Sequence, residues 1–187
     1  YRSSRGLGDV YKRQHYMMMK EISNQGYKVS ISGTGADEIF SGYYDHHLAY
    51  LYDLNRTKDE YFNDSVDAWI KYIKPLVRNP FLRNYKYLIN NPLQRDHIYL
   101  DKDEFRNYLI EDFEEPFNEF FYTKKLLRNR MLNELSHEIV PPILNVDDLN
   151  SMANSVENRS PYLDSNLVNY VQSIPTKYLI KNGYAKH

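Results

Sequence analysis

Between Val29 and Tyr43 the chain passes from a short β-branched run through a glycine loop straight into a helical apolar period, and this corner commits it to an α/β arrangement. Residues 27–31 read as a buried strand. Apolar positions 39, 40, 43, 47, 50, 51 and 54 then predict one helix over about 36–54. Gly33 and Gly35 allow close backbone approach, and the amides opening that helix would face outward toward a phosphate or carboxylate. Neither GxGxxG nor GxxxxGK[ST] occurs.

Upstream, residues 15–25 read as a helix ended by Gly26, which completes an αβα unit of a parallel sheet. Tyr1 to Gln14 match nothing that follows and resemble translated adapter sequence, so residues 1–14 are set apart as a non-native segment and 15–187 as a partial domain. Beyond residue 58 the pattern is helical, with segments near 59–73, 81–90, 101–111 and 116–138 separated by Pro75, Pro80, Pro92 and Pro116. No second strand is evident. A lone strand leaves backbone groups unpaired, so the expectation is that further strands lie upstream.

Net charge is -1 with the two signs interspersed, which excludes the one-sided basic face of a nucleic-acid binder. The 19 tyrosines fit helix packing. No cysteine is present, so there is no thiolate metal site, cysteine nucleophile or disulfide framework, as suits a reducing compartment. No apolar run approaches the roughly 20 residues that span a bilayer. A cytoplasmic location without membrane attachment is expected.

A second constellation runs from Asp147 to Asp164, DDLNSMANSVENRSPYLD. A short helix over about 150–157 would deliver Glu157 and Arg159 into a loop closed by Pro161, and Asp164 would cap a helix over 165–173. Arg159 suits a carboxylate or phosphate clamp, or a structural ion pair. Thr34 and Asp37 have capping-box spacing. His46 and His47 are adjacent and cannot form an i, i+4 zinc pair, so they read as packing or surface residues. Residues 183–187 read as the start of a further helix.

Three stretches, Ser32-Gly-Thr-Gly-Ala-Asp-Glu38 with Gly42-Tyr43, Asp147 to Asp164, and Gly183-Tyr-Ala-Lys186, resemble in order the motifs of the synthetase domain of glutamine-hydrolysing asparagine synthetases. The resemblance implies an adenine-nucleotide α-hydrolase-like fold, α/β by family but mostly α in this stretch, with a helical C-terminal region. It implies ATP and Mg2+ as cofactors, a small-molecule carboxylate as acceptor, and ammonia delivered by a glutaminase domain that this chain lacks; a homodimer stays open. In that reading Ser32, Gly33, Gly35, Tyr43 and Glu157 lie on the nucleotide side, Asp37 holds magnesium, and Lys186 and Arg159 are catalytic. The SGG-x-D-S pyrophosphate loop of the family is absent, so activity is expected of the full-length parent and not of this stretch alone. Position 34, usually Glu or Asp in the family, is Thr34, and a neutral hydroxyl is no base near pH 7. Aspartate amidation, amidation of another carboxylate such as a uronic acid, and a non-catalytic helical scaffold all stay open.

Overall fold

The computed structural model describes residues 5–99, 101–111 and 117–186, with side chains from residue 13 onward. These residues are mostly helical and fall into two compact units.

The first unit comprises Tyr1–Ile39 and Glu134–Ser173. Helix α1 (Arg5–Asn24) packs along α8 (Val140–Met152), whose first turn carries Pro141 and Pro142 where no intrahelical amide is required. Gly26 follows α1 at φ +84° and turns the chain into β1 (Val29–Ile31). Strand β1 pairs in parallel with β2 (Glu157–Arg159). The expectation of a single strand is thereby corrected, as is that of a helix over 150–157: α8 ends at Met152, and Glu157 and Arg159 lie on the new strand. Ser155 at φ +54° reverses the chain, and the Val156 amide returns to the Ser151 carbonyl at 3.0 Å. Met19, Val140, Val156 and Val171 are buried. Asp164 Oδ1 accepts the amides of Asn166 and Leu167 at 3.0 and 3.1 Å, capping α9 (Ser165–Ser173) as expected.

The second unit comprises Phe40–Asn133 and Ile174–His187. The expected helix over 36–54 is two helices, α2 (Ala36–Phe40) and α3 (Tyr44–Thr57). Ser41 at φ +70° ends the first, and extended Tyr43 starts the second, so the apolar period continues across a backbone break. Around α3 pack α4 (Phe62–Ala68), α5 (Tyr87–Asn90) and α7 (Leu126–Asn133). Helix α4 continues as a π-helical turn over Trp69–Ile73, and Leu48, Leu51, Trp69, Leu88, Leu127 and Met131 fill the core. Helix α6 covers Lys102–Arg106.

The expected helix over 116–138 begins only at Leu126 among the described residues. Side chains replace a ladder before it: Asn133 Oδ1 accepts from the Phe120 amide at 2.8 Å and its Nδ2 donates to the Phe120 carbonyl, while Asn129 Oδ1 accepts from Tyr122 and Thr123. The start of α7 is held by Asp53, whose carboxylate accepts the Leu126 and Leu127 amides at 2.8 and 3.2 Å.

His46 and His47 are both buried, in keeping with a packing role. Burial disfavours the His47 imidazolium, the charge of His46 adds to that, and Asp45 opposes it; the net effect lowers His47 from 6.5 to about 4. A depressed histidine value stabilises the fold above its unfolded value and loses that contribution as pH falls from 6.5 toward 4. At about 1.4 kcal/mol per unit this amounts to about 3 kcal/mol. His47→Gln should therefore flatten stability between pH 7 and pH 4, which urea unfolding at both pH values measures; an undiminished slope would exclude His47 as its source.

Candidate active site

The parallel β1–β2 pair, in register Val29↔Glu157, Ser30↔Asn158 and Ile31↔Arg159, builds the first part of the site. Its ladder is extended at one end by Glu157 N–H to Lys28 O and at the other by Ser32 N–H to Arg159 O, both at 2.8 Å. The two strands therefore release their C-terminal loops side by side, the position where open α/β sheets take ligands. Ser32 Oγ lies 3.0 Å from Ser160 Oγ, tying the loops together.

The two loop glycines differ. Gly33 is exposed, and a Cβ built there would meet nothing within 4 Å. Gly35 is buried at φ +93°, and its Cβ would lie 2.3 Å from Leu163 Cδ2. Gly33 is thus open to a ligand, whereas Gly35 seats the loop on Leu163. Helix α2 is only five residues long and its opening Ala36 amide is spent on Gly33 O at 3.2 Å. That amide does not face outward as the sequence suggested, and the loop hydroxyls form the polar surface that the strands deliver.

Thr34 sits among these hydroxyls. Its Oγ1 accepts from Ser32 Oγ at 3.2 Å and donates to Asp147 Oδ2 at 3.5 Å, and the other Asp147 oxygen lies 3.5 Å from His15 Nδ1. Asp147 and His15 are both buried. Sequence reasoning quoted Asp147 inside its motif but gave it no role, and it did not single out His15. Thr34 and Asp147 are 113 residues apart, and the pairing of β1 with β2 together with the packing of α1 on α8 brings them together.

Asp37 is half-buried on α2 and offers a carboxylate. Magnesium typically takes one or two carboxylates and completes its shell with phosphate and water, so this donor fits it. Glu157 and Arg159 are exposed and paired with each other, Arg159 Nε to Glu157 Oε1 at 2.9 Å and a second guanidinium nitrogen to Oε2 at 3.3 Å. That hydrogen-bonded pairing lowers Glu157 and raises Arg159. An anion approaching Arg159 would compete with its own neighbour.

Tyr43 and Lys186 belong to the second unit. Tyr43 is half-buried, its ring centroid 5.2 Å from that of His46 and its amide donating to His46 Nδ1 at 3.5 Å. Lys186 is exposed at φ +56° directly after a hairpin of β3 (Ile180–Lys181) and β4 (Tyr184–Ala185), which corrects the expected helix start. Asn182 and Gly183 at φ +53° and +80° form its two-residue turn, the pairing that type I′ geometry favours. A Cβ on Gly183 would fall 2.9 Å from Ala68 O, and the Tyr184 ring packs 5.5 Å from that of Tyr72. The hairpin that carries Lys186 is therefore seated on α4 and its π-helical turn.

No helix among the described residues is long and apolar enough to cross a membrane. A family model described as asparagine synthase matches residues 6–187. No curated protein and no solved structure matches the chain.

Proposed function

The chain belongs to the asparagine synthase family of ligase-type enzymes, and from that premise we propose that the protein forms an amide with ATP by way of an acyl-adenylate, with aspartate as acceptor and asparagine as product. The observation that carries this reading is the joined pair of loops at the C-terminal ends of β1 and β2, with the Ser32–Ser160 hydroxyl contact beside the open Gly33. Such a surface suits phosphate and ribose oxygens, which need small donors and close backbone approach.

In this reading Ser32, Gly33 and Gly35 shape the nucleotide side, with Tyr43 and Glu157 as further lining. Asp37 would hold magnesium, whose charge offsets that of the phosphates. Lys186 supplies a compact positive charge for the α-phosphate in the transition state, and Arg159 holds the pyrophosphate or acceptor side. Ammonia would come from glutamine hydrolysis, and ATP supply fits a cytoplasmic enzyme.

Thr34 supports a second reading, because the carboxylate usual at that position is replaced by a neutral hydroxyl. A uronic acid of a surface polysaccharide would then be the acceptor. Pyrophosphate release by the full-length protein, with ATP and glutamine and with aspartate compared against a panel of uronic acids, separates the two. Aspartate-dependent release that Lys186→Ala abolishes supports asparagine formation. Release with a sugar acid alone moves the protein to polysaccharide amidation, and no release with any acceptor overturns both.

A further inference from the structure

Amide formation from an acyl-adenylate needs a proton acceptor. Ammonia attacks the acyl carbon, a C–N bond forms, the C–O bond to AMP breaks with its electron pair leaving on the phosphate, and the nitrogen must shed a proton. Thr34 cannot keep that proton, since a hydroxyl is not basic near pH 7. It can pass one on. Its Oγ1 already points its own hydrogen at Asp147 Oδ2, and the Ser32 hydroxyl donates to it from the loop surface.

We propose that Thr34 and Asp147 form a proton relay in which the nitrogen gives its proton to Thr34 Oγ1 while Thr34 gives its own to Asp147 Oδ2. The inference rests on the amidation reading above and adds the group that accepts the proton. Three observations carry it. The hydroxyls form a chain, Ser160 to Ser32 at 3.0 Å, Ser32 to Thr34 at 3.2 Å and Thr34 to Asp147 at 3.5 Å, that ends on a carboxylate. That carboxylate is buried, which shields it from bulk water, and its other oxygen lies 3.5 Å from His15 Nδ1, so the ring reports on its state. Ser151 Oγ also bonds the Asp147 carbonyl at 2.6 Å, anchoring the residue on α8. The 3.5 Å step is long, as catalytic hydrogen bonds commonly are before substrate tightens them. Asp147 thus does at one hydroxyl's remove what a carboxylate at position 34 would do directly, and aspartate amidation does not require a residue other than threonine there.

The test uses the full-length protein and compares ammonia with hydroxylamine, a less basic nucleophile whose conjugate acid is far stronger and so loses its proton readily. Product formation from each is normalised to the ATP–pyrophosphate exchange of the same variant. Thr34→Val and Asp147→Asn should each lower the ammonia-to-hydroxylamine ratio by about 100-fold, the usual scale of a lost general base. The Thr34→Glu/Asp147→Asn double variant should restore it, because the carboxylate is returned to the loop; a purely structural Asp147 would not be rescued this way. A readout without turnover runs alongside. Thr34→Val should move the His15 ring resonances in NMR spectra, and should leave them in place when Asp147 is already Asn. An unchanged ratio in both single variants, or His15 resonances indifferent to Thr34, overturns the relay while exchange continues. Absence of exchange in the unsubstituted protein with every acceptor instead overturns the amidation reading, and the relay falls with it.

Discussion

Arg130→Met is expected to destabilise the protein by about 3–5 kcal/mol, the cost of leaving buried charges without their partner. The Arg130 guanidinium lies between two carboxylates, donating to Asp45 Oδ2 at 3.1 Å and to Glu119 Oε1. All three side chains are at least nine-tenths buried. Arg95 also reaches Glu119 at 2.9 Å, so that carboxylate keeps a cation when Arg130 is lost, whereas Asp45 keeps, among the described residues, the His97 ring at 3.5 Å and its neighbour His46. Burial pushes the Asp45 carboxyl up, but the His97 hydrogen bond and the charges of His46, Arg130 and His97 outweigh it and hold it well below the usual carboxylate range. A depressed carboxylate stabilises the fold above its unfolded value near 3.8 and loses that contribution as pH falls below it. The stability gap between the unsubstituted protein and Arg130→Met should therefore narrow below about pH 4. Urea unfolding at pH 7 and pH 3 measures it. A gap of less than about 1 kcal/mol at pH 7, or one that does not change with pH, would mean that the network contributes packing and not charge pairing. Arg130→Lys keeps the charge but loses the planar fork that meets two carboxylates at once, so its cost should fall between the two.

The parts of this fold legible in the sequence are those whose signal is local. The end of α1 at Gly26 and a strand within the expected 27–31 follow from a glycine and a β-branched run, but the strand covers Val29–Ile31 and is not buried as expected, since Val29 and Ile31 are exposed. The helix at 165–173, with Asp164 as its cap, follows from one side chain. What could not be read is set by partners distant in the chain. Strand β2 is Glu-Asn-Arg, a sequence with no strand propensity, and it is extended because β1 offers a parallel ladder 128 residues away. The extended approach to α7 depends on Asn129 and Asn133 acting as surrogate backbone, and asparagine inside a helical period gives no warning of that. The break at Ser41 is hidden because the apolar stripe resumes in phase beyond it. The β3–β4 hairpin is different. Asn182-Gly183 is a strong local signal for a two-residue turn, and the Tyr-Ala-Lys that follows drew the reading toward a helix. The site divides in the same way: the loop at 32–37 was visible from its glycines, while the contact of Thr34 with Asp147 depends on the strand pairing and on the packing of α1 against α8.

Gly35→Ala is expected to cost about 3 kcal/mol and to disable the site that the loop supports. Two effects add. Alanine at φ +93° leaves the conformations open to an L-residue, which costs roughly 1–2 kcal/mol. Its methyl would also lie 2.3 Å from Leu163 Cδ2 and 3.0 Å from Cγ, forcing Leu163 or the loop to move, which adds about 1–3 kcal/mol of overpacking. The two are separable. Leu163→Ala removes the steric neighbour but not the backbone strain, so the double variant should be more stable than the sum of the single effects by about 1–2 kcal/mol and still less stable than Leu163→Ala alone. The functional consequence follows from where Leu163 stands. It closes the short turn Pro161–Leu163 that follows Ser160, and its amide donates back to Ser160 O at 3.0 Å. A shift of that turn therefore carries Ser160 away from Ser32 and opens the 3.0 Å contact joining the two loops. Pyrophosphate release by the full-length protein should fall in Gly35→Ala and recover in part in the double variant. Loss of stability with full activity would place the Ser32–Ser160 junction outside the working site. Full stability in Gly35→Ala would show that the loop can leave Leu163 without cost, and that Gly35 is not what seats it.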